Sequence, residues 1–289
     1  MSTKREIDQV TGVETTGHEW DGIKELNKPL PRWWLLTFYA CILWAVGYMI
    51  AYPAWPTING YTKGMLGYSQ RVTVASEMKA AEGAQAGMRD LLAKTPLGEV
   101  RANRDLFAFA RVAGNAAFQT NCAPCHGRNG TGAVGYPNLN DDDWIWGGTI
   151  DAIHKTILFG VRDAHKDTRT GEMPRFDLDR MLTDALIEDA AEHVLSLSGQ
   201  SADPSAAARG AAIFKEQCAA CHGDNAKGKL DQGSLNLTDG IWLYGGTKPA
   251  IVESIRTGRG GAMPAWTGRL DPMTITALAV DGHSLGGGQ

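Results

Sequence analysis

Cysteine is scarce in this chain, with only five in 289 residues. That number excludes the dense disulfide framework of small secreted scaffolds. Charge of one sign is also missing, since 28 Lys and Arg face 32 Asp and Glu for a net charge of −4. The chain therefore lacks the basic surplus typical of nucleic-acid-binding proteins, and no nucleic-acid partner is expected.

Four of the five cysteines fall in two copies of a Cys-x-x-Cys-His motif. The copies are Cys122-Ala-Pro-Cys125-His126 and Cys218-Ala-Ala-Cys221-His222. A lone Cys-x-x-Cys is often half of a zinc site or a redox disulfide, but here His follows each pair directly and no further cysteine pair is available. Two such thiols form thioethers to one haem, and the adjacent His binds its iron. The motifs therefore predict two covalently bound haem c groups.

Each motif is followed by a Met-Pro pair, Met173-Pro174 and Met263-Pro264. A methionine sulfur opposite the His would give six-coordinate iron suited to electron transfer. Met173 and Met263 are thus the predicted distal ligands, and His126 and His222 the proximal ones. The simple pairing is within each copy, but the spacing does not decide between that and a crossed pairing. Met181 and Met273 are expected to be packing residues.

The duplication extends well beyond the haem motifs. Residues 114–118 repeat at 210–214, and Trp144-Ile-Trp-Gly-Gly-Thr149 repeats as Trp242-Leu-Tyr-Gly-Gly-Thr247. The order of helix, motif, Gly-rich loop, short helices, Met-Pro and closing helix resembles the class I cytochrome c fold. The predicted fold is therefore all-α, with tandem cytochrome c domains at residues 111–200 and 205–289. Asp281-Gly282 in the last helix predicts fraying or a different packing there.

One run of residues, 33–50, is long and uncharged enough to cross a bilayer. We predict a cytoplasmic segment at 1–32, a single transmembrane anchor at 33–55 and a helical linker at 56–110. Lys24, Lys28 and Arg32 precede the run whereas only Lys63 follows it closely, which places the N-terminus in the cytoplasm. Because bacterial c-type haem is attached outside the inner membrane, the haem domains are expected in the periplasm.

A second motif lies before the anchor. It reads His18-Glu-Trp20-Asp21-Gly22-Ile23-Lys-Glu25-Leu26-Asn27-Lys-Pro29-Leu30-Pro31-Arg32-Trp33-Trp34. With one span and two haem motifs, it resembles the dihaem subunit III of cbb3-type cytochrome c oxidases, the CcoP or FixP family.

The resemblance implies an electron-transfer subunit without an active site of its own. Its donor would be the bc1 complex or a soluble cytochrome c. Its acceptors would be the monohaem subunit and the catalytic haem–copper subunit, which reduces oxygen with proton pumping. His18, Trp20 and Asp21 are expected to dock on the oxidase core.

Three alternatives stay open on the haem motifs alone. They are a dihaem peroxidase, a cytochrome subunit of a periplasmic dehydrogenase and a stand-alone anchored donor. His154, His165 and His193 are expected to be surface or packing residues, and Trp144 and Trp242 to pack against the porphyrins.

Overall fold

The computed structural model describes residues 6–286, and this part of the chain is mostly helical, as predicted. It divides into two compact units, Met1–Ala84 and Gln85–Gln289. The two predicted cytochrome domains therefore belong to one compact unit.

The first unit begins with an antiparallel hairpin that the sequence reasoning did not anticipate. Strand β1 spans Thr15–Trp20 and strand β2 spans Ile23–Leu26. Asp21 and Gly22 form the two-residue turn, with φ of 47° and 84°. Positive φ at both positions is the geometry that matches the twist of a hairpin, and Asp and Gly tolerate it.

Helix α1, Arg32–Ala51, is the predicted membrane span. Its 20 residues give a length of about 30 Å, which matches the hydrocarbon core of a bilayer. None of its residues is buried within the described chain. The helix ends at Ala51 because Tyr52, one residue before Pro53, takes an extended conformation. A minimal hairpin follows, with β3 at Pro56–Thr57 and β4 at Gly60–Tyr61.

Helix α2 spans Gln70–Lys94 and lies within the helical linker predicted at 56–110, although the β3–β4 hairpin occupies the beginning of that interval. The second unit continues with a 3₁₀ turn at Leu97–Ala102. The remaining helices are α3 (Arg104–Asn121), α4 (Ala123–His126), α5 (Ile150–Phe159), α6 (Asp184–Leu197), α7 (Pro204–Ile213), α8 (Ala219–His222), α9 (Lys248–Thr257) and α10 (Pro272–His283). A π-helical turn, Phe214–Cys218, joins α7 to α8.

The closing helices of the two copies are exchanged. Helix α6 ends the first copy but packs against α7 and α9 of the second, whereas α10 ends the second copy and packs against α3 and α5 of the first. Two apolar cores result. The first core contains Leu106 and Ala110 of α3 with Ala277 and Val280 of α10.

The second core joins the two copies in the same way. It combines Ile187, Val194 and their neighbours on α6 with Phe214 and Ile251 of the second copy. Each core is thus built from both halves of the haem-binding sequence. The domain bounds 111–200 and 205–289 remain a prediction, which describes the two copies of the repeated sequence. The two apolar cores do not coincide with these intervals.

Glycines allow the exchanged helices to cross closely. A Cβ at Gly114 of α3 would collide with the Ala277 carbonyl and lie 2.7 Å from Asp281 Cβ. Gly210 of α7 plays the same part against α6, where its Cβ would collide with Asp189. The two crossings are therefore equivalent in the two cores.

The prediction that Asp281-Gly282 frays the last helix is wrong. The alternative prediction, that this helix packs differently, agrees with the packing of α10 against helices of the first copy. Helix α10 runs through both residues to His283, and Asp281 is 0 % exposed. Its carboxylate lies 3.5 Å from Arg111 Nε on α3. Burial raises the pKa of Asp281, and Arg111 opposes that rise.

We expect Gly114→Ala to lower the free energy of unfolding of the second unit, which contains both haem motifs, by about 1–3 kcal/mol. The reason is that the added methyl group overpacks the crossing of α3 and α10. Gly87→Ala is the matched control, since Gly87 lies in α2 with open space around it. The control should gain up to about 1 kcal/mol from helix propensity. Denaturant unfolding followed by haem absorbance measures both. A Gly114→Ala protein as stable as wild type would contradict this account of the crossing.

Candidate functional site

The two Cys-x-x-Cys-His motifs open into one continuous cavity of about 620 Å³. This volume lies within the usual range of ligand pockets. All eight predicted site residues line it: Cys122, Cys125, His126, Met173, Cys218, Cys221, His222 and Met263. The exchange of helices therefore brings both copies of the predicted haem site to a single interior space.

Each motif histidine is oriented by its own backbone loop. His126 Nδ1 lies 3.0 Å from the Pro137 carbonyl oxygen, and His222 Nδ1 lies 2.9 Å from that of Leu235. An Nδ1–H that donates to a carbonyl leaves the lone pair of Nε2 for a metal. Burial lowers the pKa of both histidines, although these hydrogen bonds oppose it. Burial therefore favours the neutral imidazole, the form that binds iron.

The motif cysteines lie beside these histidines. They are not joined in disulfides, and burial raises the pKa of Cys122 and Cys218 to about 11 each. Within residues 6–286, no group of three or more His, Cys, Asp or Glu side chains is arranged to hold a bare metal ion. The donor set therefore fits covalently held haem, which brings its own four nitrogen ligands, better than it fits a zinc site.

The first methionine loop, residues 169–174, packs against the second copy. Met173 lies against the second core, and a Cβ at Gly258 after α9 would collide with the Met173 carbonyl. Just beyond the loop, the Phe176 N–H donates to the Ile255 carbonyl at 3.2 Å. Met173 is thus held beside the half of the cavity that contains Cys218 and His222.

The second methionine loop, residues 259–264, packs against the first copy in the same manner. Val161 and Met263 exchange two backbone hydrogen bonds of 2.9 Å each. The Trp266 N–H donates to the Ile157 carbonyl of α5 at 3.1 Å. Met263 is thus held beside the half that contains Cys122 and His126. Each methionine loop therefore contacts the opposite copy, whereas the simple pairing would place each methionine beside the motif of its own copy.

Two aromatic residues that the sequence reasoning did not single out also cross between the copies. Trp146 packs over Gly233 in the loop that follows the second motif. The equivalent residue Tyr244 packs against Gly135 in the loop that follows the first motif, and the Gly135 N–H donates to the Leu243 carbonyl at 2.7 Å. Both rings line the cavity.

An arginine stacks on each of these rings. The Arg169 guanidinium lies 5.1 Å from the Trp146 ring centre, and that of Arg259 lies 4.8 Å from Tyr244. Their hydrogen bonds correspond too, because Arg169 donates to Ala152 and Thr156 whereas Arg259 donates to Ala250 and Ser254.

The repeat contained the signal for this arginine pair. Gly160 and Gly258 are 98 residues apart, but Met173 and Met263 are only 90 apart. The first copy therefore carries eight extra residues, 161–168, and correcting for them aligns Arg169 with Arg259. We refer to residues 161–168 as the insertion.

A partly buried carboxylate, that of Asp143, lies on the cavity wall. Burial, followed by the nearby Asp239 and Asp141, raises the pKa of Asp143 to about 6. Its charge therefore changes within the neutral range, where small environmental shifts alter protonation.

The remaining predicted residues have varied positions. Trp144 lines the cavity, whereas Trp242 packs against the second core. His165 stacks on Phe159 with ring centres 5.0 Å apart, and His193 lies 5.2 Å from the Phe214 ring. His154 is half-buried on α5. Met273 packs against the first core as expected, but Met181 is exposed, so its assignment as a packing residue is wrong.

The predicted docking residues are exposed in the N-terminal unit. Trp20 is 65 % exposed at the end of β1, and Ile23 is 72 % exposed at the start of β2. Asp21 forms the turn between them, and Trp34 is exposed on α1. The hairpin therefore presents an apolar tip next to the membrane span.

Comparison with known families agrees with this arrangement. Residues 12–59 match the N-terminal domain of cytochrome oxidase-cbb3, FixP. Residues 112–198 match cytochrome c, and residues 205–280 match cytochrome c oxidase, cbb3-type, subunit III.

Similar proteins cover the whole chain. It is 53 % identical to the cbb3-type cytochrome c oxidase subunit FixP of Bradyrhizobium sp. (strain ORS 278), with all of both chains aligned. It is 52 % identical to subunit FixP of Azorhizobium caulinodans and 49 % identical to subunit CcoP of Cereibacter sphaeroides, again over both full chains. The chain therefore belongs to the FixP/CcoP family of cbb3-type cytochrome c oxidase subunits, membrane-associated electron-transfer proteins with covalently bound haem c.

Proposed function

We propose that this protein carries two haem c groups and passes electrons from the bc1 complex or a soluble cytochrome c to the rest of a cbb3-type oxidase. The observation that carries the proposal is the single cavity onto which both Cys-x-x-Cys-His motifs and both methionine loops open. When bound, each haem supplies a reversible one-electron iron couple. The chain contributes attachment, axial ligands and a shared apolar enclosure, and it has no active site of its own.

The site residues divide into three roles. Cys122 and Cys125 form the thioethers to one haem, and Cys218 and Cys221 those to the other. His126 and His222 are the proximal ligands. A neutral imidazole oriented through Nδ1 is the form that each motif provides.

Met173 and Met263 are the distal ligands in a crossed arrangement. Met263 serves the haem held by Cys122 and Cys125, and Met173 serves the haem on the second motif. The support is the packing of each methionine loop against the opposite copy. The thioether favours ferrous iron and raises the redox potential, as suits a carrier that delivers electrons to an oxidase.

The protein crosses the bacterial inner membrane once, through α1, with its N-terminus in the cytoplasm. Lys24, Lys28 and Arg32 before the span, against Lys63 alone closely after it, support this orientation. The haem-binding unit is then periplasmic, where it meets its electron donor. The direct partners are the monohaem cytochrome c subunit and the catalytic haem–copper subunit, and the lipid bilayer surrounds the anchor.

One prediction of this proposal concerns haem content. The wild-type chain should hold two haems per polypeptide by pyridine haemochrome assay. Cys122→Ala with Cys125→Ala, and separately Cys218→Ala with Cys221→Ala, should each leave one. One haem per wild-type chain would contradict the dihaem assignment.

The pairing of methionines is tested in the chain that carries only the haem on Cys122 and Cys125. Adding Met263→Leu should abolish the weak thioether–iron absorption at the red end of the oxidised spectrum and lower the redox potential. Adding Met173→Leu should leave that band in place. Pairing within each copy requires the opposite result. In the dihaem protein, either Met→Leu change alone should remove about half of the band, since one of two equivalent ligands is lost.

A further prediction concerns assembly with the oxidase. We expect Trp20→Ala, Asp21→Asn and Trp34→Ala together to leave a membrane-bound protein with full haem content that no longer co-purifies with the catalytic subunit. Asn is chosen at position 21 because it tolerates the positive φ of the turn.

Val10→Ala is the control, since it also removes an exposed apolar side chain from the N-terminal segment. It should assemble normally. Oxygen consumption by the purified complex reports the functional outcome. Wild-type assembly of the triple variant would show that this surface does not dock.

A further inference from the structure

The insertion, residues 161–168, connects the two methionine loops. It leaves the end of α5 at Gly160 and returns at Arg169, where the Arg169 N–H donates to the Gly160 carbonyl at 3.2 Å. Within it, Val161 pairs with Met263 through the two backbone hydrogen bonds described above. The second copy has no equivalent segment, so this connection occurs once for two haem sites.

Arg162 makes the most direct link. Its Nε donates to the Gly261 carbonyl at 2.7 Å, and its Nη1 donates to the Gly171 carbonyl at 2.5 Å. These glycines occupy matching positions, each two residues before the methionine of its loop. A single half-buried guanidinium on the cavity wall is therefore bonded to both methionine loops.

The backbone holds Arg162 in a conformation that its residue type rarely adopts. Its φ is 51°, in the left-handed region. Its N–H donates to the Arg169 carbonyl at 2.8 Å, and the neighbouring Val161 is fixed by Met263. Non-glycine residues persist in this region when the surroundings fix them, and such residues cluster at functional sites.

The charge of Arg162 also has no carboxylate partner within the described residues. The bonds given above end on neutral carbonyls. A positive charge on the cavity wall disfavours the gain of positive charge that accompanies oxidation of iron. Arg259 lines the same cavity and also bonds to neutral groups, but Arg169 and Arg259 are each bonded to one copy only, so neither joins the two methionine loops.

We propose that Arg162 is a positioning residue for both axial methionines and that its charge raises the midpoint potentials of both haems. This inference rests on the proposed function, which supplies the two haems and the methionine ligands. It predicts two separable effects of substitution. One follows the positive charge, and the other follows the two hydrogen bonds that a planar guanidinium can make to the two loops.

The test uses the full-length dihaem protein with Arg162→Gln and Arg162→Lys. Two readouts are measured at each haem: the midpoint potential by redox titration, and the affinity of the ferric form for added imidazole, which displaces a loosely held methionine. Arg162→Gln should lower both potentials and raise imidazole affinity at both haems about tenfold, equivalent to ~1.4 kcal/mol. Arg162→Lys should restore both potentials but keep the raised imidazole affinity.

Arg169→Gln and Arg259→Gln are the matched controls, and each should raise the imidazole affinity of at most one haem, because each arginine is bonded to one copy only. A response of only one haem to Arg162→Gln, or of neither, would overturn the proposal, as would failure of Arg162→Lys to restore the potentials. If Arg162→Gln does not yield folded protein, the imidazole affinity of Arg162→Lys decides by itself. The wild-type protein is assayed first for two haems and the thioether–iron band, so failure of the proposed function is recognised independently of Arg162.

Discussion

The reciprocal exchange of methionine loops and closing helices is the constraint on which the haem-binding unit depends. Helix α6 completes the second core and α10 completes the first, and the methionine loop before each helix follows it to the opposite copy. The first helix of each copy, α3 or α7, is packed against the closing helix of the other copy. Burial of the apolar faces where these helices cross therefore links the two copies into one compact unit. A domain as small as one copy would otherwise leave a larger fraction of its apolar surface exposed.

The same exchange explains the shape of the interior. Because each half of the cavity is enclosed by a loop from the other copy, no layer of protein divides the halves, and the two motifs open onto one space. Trp146 and Tyr244 reinforce the crossing by packing over glycines of the opposite copy. The pseudo-symmetry is broken by the insertion, which adds one link between the methionine loops. A shared enclosure for both proposed haems suits a subunit whose task is electron transfer.

The sequence singled out residues that share one cavity, whereas it did not predict which copy each closing helix packs against. The motif cysteines, histidines and methionines all line the cavity. They could be picked out from the sequence because each belongs to a short motif with a fixed spacing. The exchange depends on which first helix each closing helix packs against, α3 or α7. Because the two copies are repeats, α3 and α7 offer similar apolar faces. The pattern of apolar residues in a closing helix therefore fits either one. Asp281 illustrates the limit: it suggested a frayed helix, but the helix continues through it, and Arg111 on the other copy lies 3.5 Å from its buried carboxylate. Arg162 could not be foreseen, because its partners are backbone carbonyls.

The most direct test of the exchange is a contact between a methionine methyl group and the haem that it binds. In the ferrous protein with ¹³C-methyl-labelled methionine, assigned with Met→Leu variants, nuclear Overhauser effects identify the haem protons next to each methyl. The account predicts that the Met263 methyl contacts the haem attached to Cys122 and Cys125, and that the Met173 methyl contacts the haem attached to Cys218 and Cys221. Contacts of each methionine with the haem of its own copy would contradict it.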